Sequence, residues 1–157
     1  MLFRSRNVPF TAFSGYLSVP PATYNLKVTA AGNCGVVVID ANLPVGAGGQ
    51  YSVYATGLLG SIVPYSLVDD NRRLATAAKV RIVHAAPGAG AVDIYVTAPG
   101  VSLASATPAF RNVGLRAETG YVNLAGGSYV VTVTPAGSKP RRSVPRRSTF
   151  GTAACIR

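Results

Sequence analysis

The stretch that decides the fold is Ser14-Gly15-Tyr16-Leu17-Ser18-Val19, a Pro-Pro turn, and Thr23-Tyr24-Asn25-Leu26-Lys27-Val28-Thr29, closing on Ala31-Gly32. It recurs as Thr119-Gly120-Tyr121-Val122-Asn123-Leu124, a Gly-Gly turn, and Ser128-Tyr129-Val130-Val131-Thr132-Val133-Thr134, closing on Ala136-Gly137. Matched positions stand 105 residues apart, and from Arg6 to Gly32, 11 of 27 residues are identical to their counterparts. An ungapped match of this kind is the signature of a duplicated unit. Within it Tyr24, Leu26 and Val28 alternate with Asn25, Lys27 and Thr29, the two-residue period of a half-buried strand. Residues 13–19 and 23–30 are therefore predicted to form a hairpin.

Working outward, the same texture continues. Gly35–Asp40 is a short apolar run that suits a strand buried on both faces or one at a sandwich edge. A turn-rich segment over Leu43–Gly49 follows, then strands over Gln50–Gly57 and Ser61–Val68. Pro64 favours an edge position for the latter, because it cannot donate to a ladder. Further strands are predicted over Lys79–Ala85 and over Ala91–Thr97, after which a loop and the stretch Pro108 to Val113 lead into the second copy. With 17 glycines, 11 prolines and no sustained helical period, the chain reads as all-β. No apolar run approaches the roughly 20 residues of a membrane helix.

The 105-residue offset also predicts what each copy lacks. Residues 1–70 read as a partial first repeat without its opening strands, and 71–78 as a linker. Residues 79–137 read as a partial second repeat without its closing strands. Either the two partial units complement each other, or copies pair between chains as a strand-swapped homodimer, or the chain is a fragment or frameshifted product. Residues 138–157 carry two prolines and paired arginines without alternation and are expected to be a disordered basic tail. The formal charge of +10 sits mostly there. Residues 139–157 hold +6 with no acid, which leaves +4 for the body. The Met1–Ser14 stretch lacks the continuous apolar region of a signal peptide.

Few residues carry chemistry. His84 is the sole histidine. By alternation it shares a face with Val80 and Ile82, as a core imidazole bonded to turn backbone would. Asp93 lies mid-strand and could orient that ring across the Pro87 turn, so His84 and Asp93 form the candidate site. Without a nucleophile in a recognisable elbow the pair is not a catalytic set, and no enzyme activity is expected. Asp69-Asp70-Asn71 lacks the calcium-loop spacing and reads as solvated linker. Gly46–Gly49 lacks the lysine and helix of a phosphate loop. Tyr16, Tyr24, Tyr121 and Tyr129 recur at equivalent positions as structural anchors. Cys34 and Cys155 have no zinc-type spacing, and both a disulfide and two free thiols stay open. No metal or other cofactor is expected. Arg141, Arg142, Arg146 and Arg147 are the candidate contacts for a polyanion. Nucleic acid is not the expected partner.

Val80-Arg81-Ile82-Val83-His84-Ala85-Ala86-Pro87, followed by Ala91-Val92-Asp93-Ile94-Tyr95-Val96, resembles the opening motif of the bacterial domain-of-unknown-function 4397 family. A Gly-Tyr-Leu strand and a Tyr-x-Val-x-Val-Thr-Pro-Ala-Gly strand follow in that family; here Gly120-Tyr121-Val122 and Tyr129–Gly137 stand in those places, and Gly15-Tyr16-Leu17 opens the first copy. The opening motif departs from the pattern at Ala86, Gly88 and Gly90. The resemblance covers residues 6–137. It implies an immunoglobulin-like β-sandwich, in tandem, in exported or cell-envelope proteins, with no established activity. A non-enzymatic extracytoplasmic module with a structural or binding role is the leading expectation, and another envelope protein is an alternative partner to a second copy. The other expectation is a polyanion- or nucleic-acid-binding protein acting through the arginine-rich tail.

Overall fold

The computed structural model describes residues 5, 7–9, 11–139 and 146–150, and of residues 59 and 146–150 the backbone alone. The chain divides after Asp70 into two compact units. Every strand named below pairs inside its own unit.

In the first unit β1 (Ala22–Ala30) pairs antiparallel with β2 (Asn33–Val45), and β3 (Tyr51–Thr56) with β4 (Val63–Val68). Gly32, at φ +81°, makes the β1–β2 turn, a left-handed conformation that glycine adopts without steric cost. Gly57, at φ +115°, is needed twice over, since a Cβ there would meet the Ser61 carbonyl oxygen at 2.7 Å. The apolar run Gly35–Asp40 falls inside β2. Val36 and Val37 stay exposed while Ile39 is buried, so this run is an edge strand rather than a doubly buried one. Pro64 pairs with Ala55 at the outer edge of a two-stranded sheet, where its missing N–H costs nothing.

The second unit holds β5 (Ala77–Val80), β6 (Val92–Thr97), β7 (Phe110–Val113), β8 (Val122–Ala125), β9 (Gly127–Pro135) and β10 (Arg146–Phe150). They form two antiparallel sheets, β10-β9-β6-β7 and β5-β8. Strand β6 has a neighbour on each side, and Val92, Asp93, Ile94 and Tyr95 in it are all buried. Its alternation therefore does not mark a wet face, because both faces are covered.

Three expectations are corrected. The repeated stretch is not a hairpin. β1 pairs with β2, β9 pairs with β6 and β10, and β8 pairs with β5. The Gly-Gly turn is a corner that carries the chain from one sheet to the other. At each corner a tyrosine hydroxyl donates to the carbonyl four residues back: Tyr24 to Pro20 at 2.8 Å and Tyr129 to Ala125 at 3.1 Å. Such a bond is a tyrosine-corner feature of immunoglobulin-like sandwiches. Next, β5 begins at Ala77, so the linker read over 71–78 is shorter than expected. Lastly, Arg146–Phe150 within the expected disordered tail is a strand against β9. The edge of β9 offers a row of backbone groups that a following segment can satisfy whatever its side chains. Its register, Gly127 with Phe150 through Val131 with Arg146, is that of Ala22 with Val45 through Leu26 with Ala41, shifted by 105.

Candidate functional site

His84 ends the segment that starts with β5 and runs antiparallel to residues 116–125. The segment is held by the β5–β8 ladder and a bridge between Val83 and Glu118. The His84 N–H donates to the Ala117 carbonyl at 3.0 Å, and Arg116 N–H to the His84 carbonyl at 2.7 Å. The imidazole is buried. Its Nδ1 accepts from Ala86 N–H at 3.3 Å, and its Nε2 faces the Gly90 carbonyl at 2.7 Å. An accepting Nδ1 requires the proton on Nε2, so the ring is the Nε2–H tautomer bracing the Ala86–Gly90 turn.

Asp93 lies beyond that turn, on β6 of the other sheet. Its Oδ1 accepts from Asn112 N–H and its Oδ2 from Gly137 N–H, each at 2.8 Å. These two bonds hold its carboxyl below the ordinary carboxylate value, with the Arg111 charge assisting and burial opposing. Asn112 (φ +51°) and Gly137 (φ +75°) are both left-handed backbone positions. Asp93 therefore ties an irregular position of β7 and the turn after β9, 19 and 44 residues away in sequence, to the central strand. Both ring nitrogens of His84 and both oxygens of Asp93 are occupied by backbone, and no bond links the two side chains. The orienting pair suggested by their spacing does not form.

Two anchors escape a sequence reading. Arg81, next to β5, sets its Nε 3.3 Å from Glu118 Oε2 and its guanidinium 4.7 Å from the centre of the Tyr121 ring. A nearly buried arginine (9% side-chain exposure) so held fastens the opening strand to its partner. Asp69, assigned to solvated linker, accepts from Tyr16 Oη at 2.6 Å and Ser52 Oγ at 2.5 Å. It ties the Tyr16 segment to β3. The only sequence signal for either was an acid or arginine beside a strand.

Cys34 is exposed and free of a disulfide among the described residues. Arg141, Arg142 and Cys155 lie outside the described residues, as do the side chains of Arg146 and Arg147. No group of three or more His, Cys, Asp or Glu with metal-holding geometry occurs among the described residues. No helix among them is long and apolar enough to cross a membrane.

Small antiparallel sheets, no α-helix among the described residues and paired tyrosine corners define an all-β protein of the immunoglobulin-like sandwich class. The chain belongs to the family described as Domain of unknown function (DUF4397), whose model matches residues 3–95. That match takes in the first copy of the repeated stretch and the opening motif through Tyr95. No curated protein and no solved structure matches the chain.

Proposed function

We propose that the chain is a non-enzymatic β-sandwich module of an exported or cell-envelope protein, built as a tandem of duplicated units, with a structural or binding role. The observation that carries this reading is how the family motif is used. Arg81, His84 and Asp93, its arginine, histidine and acid, are each spent on holding strands and turns. A general base or nucleophile needs a group left facing substrate. The duplication is supported by backbone as well as sequence. Asn7 and Asn112 share φ near +50°, Thr11 and Arg116 lie at +71° and +63°, and Gly32 and Gly137 at +81° and +75°. The extracytoplasmic placement rests on the family resemblance. Fractionation of the producing cells tests it. The protein is expected in the envelope or the medium, and a purely cytosolic pool contradicts the reading. Charge-preserving changes at the motif test the structural role. Arg81→Lys is expected to lower the melting temperature and leave ligand binding by the folded body unchanged.

A further inference from the structure

In the second unit, residues 116–125 are covered by the opening segment 77–84. Thr119 N–H donates to the Ile82 carbonyl, and Ile82 N–H to Thr119 Oγ1, each at 3.1 Å. The counterpart of this stretch in the first unit is Thr11–Pro20. It keeps the approach. Ala12 N–H donates to the Pro9 carbonyl at 3.1 Å, as Ala117 N–H does to Gly114 at 3.0 Å. Asn7 and Thr11 hold the same left-handed backbone as Asn112 and Arg116. For a β-branched threonine that conformation is strained. Yet among the described residues no strand lies beside Thr11–Pro20, which is non-strand and exposed apart from a half-buried Val19. Phe13, Tyr16 and Leu17 stand 81%, 54% and 57% exposed. Among the described residues strand β1 has β2 on one edge and no strand on the other, whereas β9 has both β10 and β6. The two open places are those that the opening strands fill in the second unit.

We propose that the first unit is an acceptor for a two-stranded opening segment of the residue 77–97 type. Its first strand pairs with Thr11–Pro20, putting an arginine over Tyr16 as Arg81 lies over Tyr121. Its second strand pairs with the free edge of β1, and its aspartate meets the N–H groups of Asn7 and Gly32. The donor is not the folded second unit of another copy. There Ile94 and Tyr95 are 1% and 2% exposed and both opening strands are paired, so donation would require that unit to unfold. This inference rests on the binding role proposed above and names its partner. Strand addition of this kind draws affinity from main-chain bonds and specificity from alternate side chains.

The test uses the full chain and a synthetic peptide with the sequence of residues 76–98. Val83 and Glu118 form a non-hydrogen-bonded pair, in which Cα atoms are close enough for a disulfide. The counterpart of Glu118 is Phe13. A Phe13→Cys chain that also carries Cys34→Ser and Cys155→Ser is expected to cross-link to a Val83→Cys peptide. The rate should exceed that of a Val96→Cys peptide at least about tenfold, because only the paired register brings the thiols together. On the unmodified chain, the wild-type peptide is expected to slow amide exchange at Leu17 and Val19 by about tenfold or more. An Asp93→Ala peptide is expected to bind about tenfold more weakly, having lost charge-assisted bonds. Equal cross-linking of the two cysteine peptides, or exchange unmoved by the peptide, overturns the proposal. So does a concentration-dependent dimer that protects Leu17 and Val19 with no peptide present, because the donor would then be a second copy. A failed peptide experiment leaves cellular location untouched, which fractionation reads separately.

Discussion

The two copies of the Gly-Tyr stretch have related sequences and share left-handed backbone at Asn7 and Asn112, Thr11 and Arg116, and Gly32 and Gly137, but Gly120 is left-handed where Gly15 is not, and the copies meet different fates. Val122–Ala125 is a strand because β5 lies beside it. Leu17–Pro20 is not a strand, and no strand lies beside it among the described residues. The consequence extends to packing. The buried apolar residues of the second unit include Val92, Ile94, Tyr95 and Leu103, whereas the first unit buries Ile39 and Leu67. Large exposed apolar side chains fall mainly in the first unit, from Val8 and Phe13 to Leu58 and Val68. Strand propensity and alternation are thus insufficient. A strand exists where a neighbour accepts its backbone bonds, and a core forms where a sheet has enough strands to cover it.

This contrast sets an order of effects. The largest is expected at the centre of the complete sheet. Ile94→Ala should destabilise the second unit by about 2–5 kcal/mol, measured by denaturant dependence of amide exchange in β6, while exchange at β1 stays unchanged. A matching loss at β1 would show that the units do not behave separately. Asp93→Asn should follow, since it puts an amide N–H₂ where two backbone donors need an acceptor. It should also change the acid response. Because the Asp93 carboxyl is held below its ordinary value in the folded chain, its contribution is present above about pH 4 and is lost as pH falls through the folded value. The wild-type second unit should therefore lose stability on acidification below about pH 4 by a component that Asp93→Asn lacks. Parallel pH curves for the two proteins would remove Asp93 from the account.

Smaller still is the paired comparison of Val122→Ala and Leu17→Ala. The half-buried Val122 should cost about 1 kcal/mol, and the exposed Leu17 within about 0.5 kcal/mol. Equal costs would mean that Leu17 is packed in solution. At the small end, Tyr24→Phe and Tyr129→Phe should each cost about 0.5–1.5 kcal/mol. Both corners make the same bond whether or not the opening strands are present. Unequal costs would tie the corner to its surroundings.

The fold class was legible because turn residues and period-two runs are local signals. Pairing was not. A turn between two strands makes a hairpin or a corner according to which sheets need strands, and the Gly-Gly turn makes a corner. The role of Asp93 was hidden for the same reason, since Asn112 and Gly137 are brought to it only by the β6–β7 and β6–β9 pairings. His84 was readable as a buried ring bonded to turn backbone, because a lone histidine lacks partners for chemistry. Arg146–Phe150 looked like tail since its composition is polar, but an edge strand can be selected through backbone bonds alone.

Among the described residues Thr11–Pro20 stands as a strand position that no neighbour fills. Amide hydrogen exchange on the intact chain tests it most directly, comparing Leu17, Ser18 and Val19 with Val122, Asn123 and Leu124. Exchange in the first set should be about a hundredfold faster or more. Equal protection in the two sets would contradict the account.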